Sequence, residues 1–517
     1  MSLKMKDGKA SDMIFVLDFG SQYSHLITRR IREAGVLAEL VSPDFPIEKL
    51  AQSKGIILSG GPQNLSDKSA LRANKKIFYL GVPILGICYG MQLTAFMLGG
   101  KVKAGKKREY GPAQITIIKS SKIFAGLKKT QDTWMSHGDS VIKLPKGFMK
   151  IASSNNCLIA SMSDEKRKIY GLQFHPEVLH TTNGHKIIIN FIKITGVKKS
   201  WLMKDFIKES IKNIRKQIGN DRAVCGLSGG VDSAVAATIV HRAIGKNLTC
   251  IYVDTGLMRE GETVELKKVF KIYMKMNLRI VYAEEEFLKK LKGVTDPEKK
   301  RKVIGELFIR IFEREAKKLP RTKWLVQGTL YTDAVSSGVS SGGKHTAVIK
   351  SHHNVGGLPE KIGFKLIEPL RDLYKYEVRK IGDKLGLPKK IVYRTPFPGP
   401  GLGIRIIGEV TKEKLKILRQ ADAIVCSEID KSGENSTQHF AVLPTIRSVG
   451  VQGDARSYGY PIIVRSFTTN DFLTVQWAPL SYKLLAKIST RITNEVKGIN
   501  RVVYDITSKP PCTIEWE

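Results

Sequence analysis

Long apolar runs are missing from this 517-residue chain. No stretch of about eighteen apolar residues occurs, so no membrane-spanning helix is predicted. The first residues, Met1 to Asp12, carry no apolar signal core. Cysteine is scarce: six residues, at 88, 157, 225, 250, 426 and 512, with no CxxC pair and no regular spacing. That pattern excludes a disulfide framework and offers no zinc-ligand set. Cys88 stands in a catalytic context, and the other five read as small buried hydrophobes. Acidic residues are also short, 48 against 85 lysines and arginines, which leaves a formal net charge of +37. The cations are spread along the chain, without a long block or interleaved aromatics. They therefore read as suited to small anionic ligands rather than to a nucleic-acid track. The expectation is a cytoplasmic protein with neither membrane nor nucleic acid as partner.

Apolar residues make up 42% and charged residues 26%, an ordinary globular balance. The length exceeds one typical core, so about two to four domains are expected. Residues 14–18, 55–59 and 82–87 read as buried strands with a helical stretch at 25–34 between them, the alternation of a parallel sheet covered by helices. Residues 113–118 and 169–174 add strands, and 184–194 a closing helix. A polar stretch at 196–204 resets the pattern. Helical spacing over 201–218 then leads into strands at 223–227, 249–253, 278–282 and 324–328, a second series of the same kind. Val303, Leu307 and Ile311, with Ile304, Phe308 and Phe312 beside them, form an apolar stripe that reads as core. Residues 336–344 are a serine- and glycine-rich loop. Pro396-Phe397-Pro398-Gly399-Pro400-Gly401 fits neither a helix nor a central strand and marks a boundary. Beyond it come a helix at 412–429 and strands at Phe440, Ile462 and Val502. The predicted class is α/β: two doubly wound parallel-sheet domains followed by a smaller α+β domain. The divisions are a disordered start (1–12), a first domain (13–197), a linker (198–206), a second domain (207–401) and a third (402–517).

Cys88 lies in Gly86-Ile87-Cys88-Tyr89-Gly90, between a buried strand and a helix. The glycines permit a sharp turn, and a helix start favours a thiolate. His175, at the end of the 169–174 strand, is the candidate base, and Glu177 the group that fixes its tautomer. Gly60 and Gly61 can aim backbone N–H groups at an oxyanion. Gly86 to Gln92, together with His175-Pro176-Glu177, resembles the class I glutamine amidotransferases over about residues 13 to 197. The resemblance implies Cys88 as nucleophile, His175 as base and Glu177 as its orienter. It also implies Tyr89 beside the glycines at the oxyanion, and Gln92 with Asp139 of the Met135–Asp139 motif holding glutamine.

Ser228-Gly229-Gly230-Val231-Asp232-Ser233 follows a strand and opens a helix, a context in which backbone N–H groups bind phosphate. It lacks the lysine of a Walker loop. The loop resembles the PP-loop of the N-type ATP pyrophosphatases, which cleave ATP between the α- and β-phosphates, typically with Mg²⁺. The resemblance implies Asp232 as the metal-facing carboxylate, and Val253 to Gly256 as the edge of the nucleotide pocket. Such a loop also occurs in enzymes resembling NAD, asparagine and argininosuccinate synthetases and tRNA thiolases. A cation and two histidines stand among glycines at 349–359. This reads as a phosphate-closing lid, with Lys350 on pyrophosphate.

Taken together, the chain from about residue 13 onward resembles the glutamine-hydrolysing GMP synthetase family. The resemblance implies GMP made from XMP, glutamine and ATP, with AMP and pyrophosphate released, and a homodimer through the last domain. It points to Arg301, Arg405, Gln438, Lys509 and Glu515 for XMP. One position departs: Ser336 stands where the family has a glutamate. A tRNA-modifying PP-loop enzyme, which the +37 charge favours, and a basic binding protein on an inactive amidotransferase scaffold are the alternatives.

Overall fold

The structure is a computed structural model that describes residues 12–65, 67, 69–336, 364–452, 454–469 and 474–517. Lys350 and the expected lid at 349–359 lie outside the described residues, as does the serine- and glycine-rich loop beyond Ser336. The chain divides into two compact units, residues 12–206 and residues 207–336 with 364–517.

The first unit is built on strands β1 (Met13–Leu17), β2 (Leu37–Val41), β3 (Gly55–Leu58), β4 (Ile84–Ile87), β5 (Lys101–Ile117), β6 (Thr130–Lys143), β7 (Met149–Ser154), β8 (Ser161–Asp164) and β9 (Ile169–Leu172). They form one sheet in the order β2-β1-β3-β4-β9-β8-β7-β5-β6. Strands β1 to β4 and β9 pair in parallel. Every residue of β1, β3, β4 and β9 is buried, as expected of strands covered on both faces. From β9 through β8, β7, β5 and β6 the pairing is antiparallel. A parallel neighbour requires a long crossover, whereas the chain between β5 and β9 carries no α-helix and returns strand to strand. The doubly wound pattern thus describes the half of the sheet that precedes β5, together with β9.

The second unit has strands β10 (Arg222–Gly226), β11 (Leu248–Asp254), β12 (Asn277–Tyr282), β13 (Thr322–Val326) and β14 (Lys365–Ile367) in a wholly parallel sheet, order β12-β11-β10-β13-β14. The helix Pro297–Lys317 begins with proline in its first turn and is capped by the Asp296 carboxylate, which accepts from Lys299 N at 2.8 Å. Its Ile304, Ile311 and Phe312 are core, with Val303, Leu307 and Phe308 packed against them. A last sheet is centred on β17 (Ala455–Thr468), which pairs with β15 (Gln438–Val442), β16 (Ser448–Gln452), β18 (Gln476–Trp477) and β19 (Ile499–Asp505). One apolar cluster runs from Val224, Ile251 and Phe287 into Ile417, Ile462 and Ile488, so the last sheet and the PP-loop sheet share a core.

All six cysteines are free; Cys157, Cys225 and Cys250 are buried, whereas Cys426 and Cys512 are only partly so, contrary to the expectation for those two. Among the described residues no helix is long and apolar enough to cross a membrane.

Candidate active sites

Cys88 sits between β4 and the helix Tyr89–Met97 with φ 50° and ψ −107°, a conformation that costs a non-glycine residue about 1–3 kcal/mol. Its neighbours hold it there. A β-carbon on Gly90 would come within 2.2 Å of the Leu58 carbonyl oxygen, and one on Gly86 within 2.5 Å of the Gly90 carbonyl oxygen. The elbow therefore packs backbone against backbone, and neither glycine has room for a side chain. Cys88 is 5% exposed, and its Sγ donates to the Ser136 carbonyl oxygen at 3.4 Å.

His175 follows β9, the strand beside β4, and its Nδ1 lies 2.7 Å from Glu177 Oε1. Burial disfavours the imidazolium, but the Glu177 carboxylate and hydrogen bonds with Cys88 and Glu177 outweigh it and hold the His175 pKa well above its ordinary value. Main-chain contacts fix the loop: His175 N donates to Trp134 O at 3.0 Å, and Thr181 Oγ1 donates to His175 O at 2.6 Å. Across the site, Gly60 approaches so closely that a β-carbon there would lie 3.2 Å from His175 Cε1. The Gly60 carbonyl oxygen accepts from Ser59 Oγ at 2.8 Å, which orients the Gly60–Gly61 peptide. Tyr89 opens the helix, so its N–H has no intrahelical acceptor. Its buried ring is anchored by a 2.7 Å bond from Oη to Leu71 O. A histidine held toward its charged form and a helix start thus both favour negative charge at Sγ, with Gly60, Gly61 and Tyr89 around it.

Gln92 is buried, and its Nε2 donates to Asp139 O at 2.7 Å and to Gln173 Oε1 at 3.3 Å. Gln173, in turn, places Nε2 3.8 Å from Cys88 Sγ. Sequence reasoning missed Gln173. Strand alternation was the available signal, since residues 173 and 175 share a face. Burial pushes the Asp139 carboxyl above its usual range, with His137 acting against it.

In the second unit, the segment Ser228–Ser233 joins β10 to the helix Val231–Ile244. Gly229 takes φ 77°, and its carbonyl oxygen accepts from Arg394 Nη1 at 3.0 Å. Ser233 Oγ donates to Gly230 O at 3.1 Å and lies 3.1 Å from Ser228 Oγ, so the loop is closed on itself. Val253 is buried in the core and offers a ligand only its backbone. Asp232 Oδ2 accepts from Lys375 Nζ, while its buried Oδ1 has no partner among the described residues. Burial pushes the Asp232 carboxyl up against the pull of Lys375, and nearby Asp333 adds to the push. Two neighbouring carboxylates with one unsatisfied oxygen suit a hard divalent cation.

A cationic cluster forms where the last sheet meets the PP-loop sheet. Arg405 is fully buried, lies over the Phe440 ring at 3.9 Å, and donates to both Glu515 oxygens at 3.0 and 2.9 Å. Arg301 donates to the Glu517 carbonyl oxygen, and buried Lys300 pairs with the Glu517 carboxylate. Gln438 donates to Pro396 O at 2.9 Å, next to Phe397, whose ring also faces Arg405 at 5.2 Å. Lys509 bridges main chain to main chain with Val475, at 2.9 and 3.0 Å, and anchors the tail. Arg301, Arg405, Gln438 and Glu515 are thus joined through Phe397 and Glu517, neither of which the sequence analysis assigned to a site; nor did it assign Lys300.

Three family models match in chain order: "Glutamine amidotransferase class-I" over residues 15–194, "NAD synthase" over 202–290 and "GMP synthase C terminal domain" over 427–516. The chain is 53% identical to the GMP synthase [glutamine-hydrolyzing] of Clostridium tetani, over 98% of this chain and 99% of that one. It is 55% identical to the protein of the same description from Geobacillus kaustophilus, again over 98% and 99%. A crystal structure of a glutamine amidotransferase from Thermotoga maritima is 21% identical over 38% of this chain and 85% of that one, with a TM-score of 0.28.

The state of His175 can be tested directly. With its folded pKa raised, the stabilisation it contributes is complete below its unfolded pKa and is lost as pH rises through the folded one. Glu177→Gln removes the largest upward push. The imidazole resonances of the variant should then titrate at lower pH than in the wild type, and the alkaline loss of stability should shift down with them. Unchanged titration of His175 in the variant would contradict this account.

Proposed function

The chain belongs to the glutamine-hydrolysing GMP synthases, and from that premise we propose how its residues divide the work. The reaction converts XMP, ATP, glutamine and water to GMP, AMP, pyrophosphate and glutamate. Cys88 attacks the glutamine carboxamide carbon, His175, oriented by Glu177 at 2.7 Å, delivers the proton with which ammonia leaves as the C–N bond breaks, and water then hydrolyses the thioester to release glutamate and free Cys88. Gly60, Gly61 and Tyr89 receive the oxyanion, and Gln92 and Asp139 shape the glutamine pocket. At the second site Ser228 to Ser233 cradles the phosphates of ATP, and the C2 oxygen of XMP attacks the α-phosphorus to release pyrophosphate. Ammonia then attacks C2 and AMP leaves.

Asp232 and Asp333 would hold Mg²⁺, which supplies charge neutralisation of the ATP phosphates. Lys350 is assigned to pyrophosphate on its sequence context alone. Arg301, Arg405, Gln438, Lys509 and Glu515 are assigned to XMP. Support comes from the buried contacts that gather the tail and Arg405 at the junction of the two sheets. The +37 charge is read as matched to a nucleotide monophosphate, ATP and pyrophosphate rather than to RNA.

A homodimer through the last sheet is supported by apolar side chains on its open face. Val449 is 46% and its cross-strand partner Tyr458 62% exposed, with Val451 at 76%. Light scattering should give twice the 57.6 kDa chain mass for the wild type. Val451→Glu should shift it toward the single-chain mass, and a dimeric variant would move the interface elsewhere.

The observation that carries the reading is the Cys88–His175–Glu177 constellation in the same chain as the PP-loop. With ATP, Mg²⁺ and glutamine, AMP and GMP should appear only when XMP is present. Cys88→Ala should abolish GMP formation from glutamine and leave it intact with ammonium; equal loss with both donors would defeat the two-site scheme. Ser336 closes the helix Tyr331–Ser336, three residues after Asp333. Restoring the family's residue with Ser336→Glu should raise XMP-dependent AMP release, and no gain would mean the departure is compensated.

A further inference from the structure

The first unit contains a second buried ion pair, to which the scheme above gives no role. Glu109 and His137, each 7% exposed, stand opposite one another in the β5–β6 ladder, just past an irregularity that follows Ala104. His137 Nε2 lies 3.0 Å from Glu109 Oε2, and Nδ1 lies 3.0 Å from the Asp139 carbonyl oxygen. Both ring nitrogens therefore face acceptors. The other Glu109 oxygen accepts from Ser154 Oγ at 3.2 Å. Cys157 brings a third donor atom within 4.8 Å of these two. Its thiol already donates to Ile159 O at 3.4 Å, and burial beside Glu109 pushes it up to about 12. Cys157 is therefore a neutral neighbour of the pair.

From His137 an unbroken series of contacts, part-buried at Asp139 and buried beyond Gln92, leads to the sulfur. The Asp139 oxygen that His137 binds also accepts from Gln92 at 2.7 Å; Gln92 reaches Gln173 at 3.3 Å, and Gln173 Nε2 reaches Cys88 Sγ at 3.8 Å. A shorter branch passes through Ser136, whose carbonyl oxygen accepts from Cys88 Sγ at 3.4 Å. We propose that Glu109 and His137 are positioning residues for glutamine hydrolysis: they fix the 136–139 segment and, through Gln92 and Gln173, aim the Cys88 sulfur. This rests on the reading of Cys88 as the nucleophile. His137 itself touches no reacting atom.

Two substitutions separate the contacts. His137→Asn keeps an amide N–H near the place of Nδ1 and so the bond to Asp139. His137→Gln places its amide near the place of Nε2, retaining Glu109 and losing Asp139. Full-length variants are compared for glutamate release, for GMP formation with glutamine or ammonium, and for thermal unfolding. His137→Gln should lower glutamine-supported kcat about tenfold, the scale of one buried hydrogen bond, with ammonium-supported synthesis unchanged. His137→Asn should retain most of the activity. Glu109→Gln, which weakens the contact that His137→Asn removes and leaves the ring its bond to Asp139, should lower glutamine-supported kcat by less than His137→Gln does, with the KM for glutamine little changed; it serves if the histidine variants do not fold, and an unchanged kcat there would overturn the proposal. Wild-type glutamine turnover in His137→Gln, equal losses in the Asn and Gln variants, or parallel loss with ammonium would overturn the proposal. Glutamate release and GMP formation are assayed separately in the same mixtures of ATP, XMP and glutamine, so a failure of GMP synthesis with glutamate still released counts against the synthase reading and leaves this comparison decisive.

Discussion

Parallel strands all release the chain at one edge of their sheet, and both sites depend on that constraint. In the first unit Gly60 follows β3, Cys88 follows β4 and His175 follows β9. Residues 88 and 175 meet because Ile87 and Leu172 are register partners in adjacent strands. In the second unit the phosphate loop follows β10, Asp254 ends β11, and Asp333 lies beyond β13. The elbow adds a local constraint to the global one. The strained backbone of Cys88 persists because Gly86, Gly90 and Leu58 press backbone against backbone around it.

What the sequence revealed and what it hid follow the same division. The strand, turn and helix around Cys88, and again around Ser228 to Ser233, are written in consecutive residues. Glycine spacing and apolar runs were enough to place them. The second half of the first sheet was harder, because an antiparallel return leaves no helix to count. Pairings such as Glu109 with His137 depend on register across an irregular stretch of β5, which periodicity does not carry. Gln173 was hidden for a different reason: it sits in an apolar strand where a polar residue reads as incidental. The Phe397 and Phe440 rings against Arg405 are contacts between distant segments, and no spacing rule finds them.

The cationic junction illustrates how a charged site survives inside a core. Arg405 is fully buried between aromatic faces, with Glu515 taking two of its N–H groups and Asp422 3.8 Å away. Lys300, also buried, is met by Glu517 and the Ile406 carbonyl oxygen. Burial pushes the Lys300 pKa down, and Glu517 works against that. Isolated buried cations are costly; here each has its counter-charge delivered by the same short tail. That pairing binds the tail to the PP-loop sheet and makes one region of structure from segments about two hundred residues apart.

The sulfur chemistry of the molecule is uneven as a result of where its sheets bury their thiols. Burial pushes Cys157 and Cys225 up to about 12, and Cys250 and Cys426 upward as well. At neutral pH these four remain thiols, poor targets for peroxides and alkylating agents, which act on thiolates. Cys88 differs in its setting: it stands at the start of a helix, with His175 beside it. An electrophile or oxidant that enters the first unit meets the residue proposed to attack glutamine, while the interior thiols stay silent. Under the proposed division of work, a modification at Cys88 would fall on nitrogen supply alone, because the loop at Ser228–Ser233 belongs to the other unit.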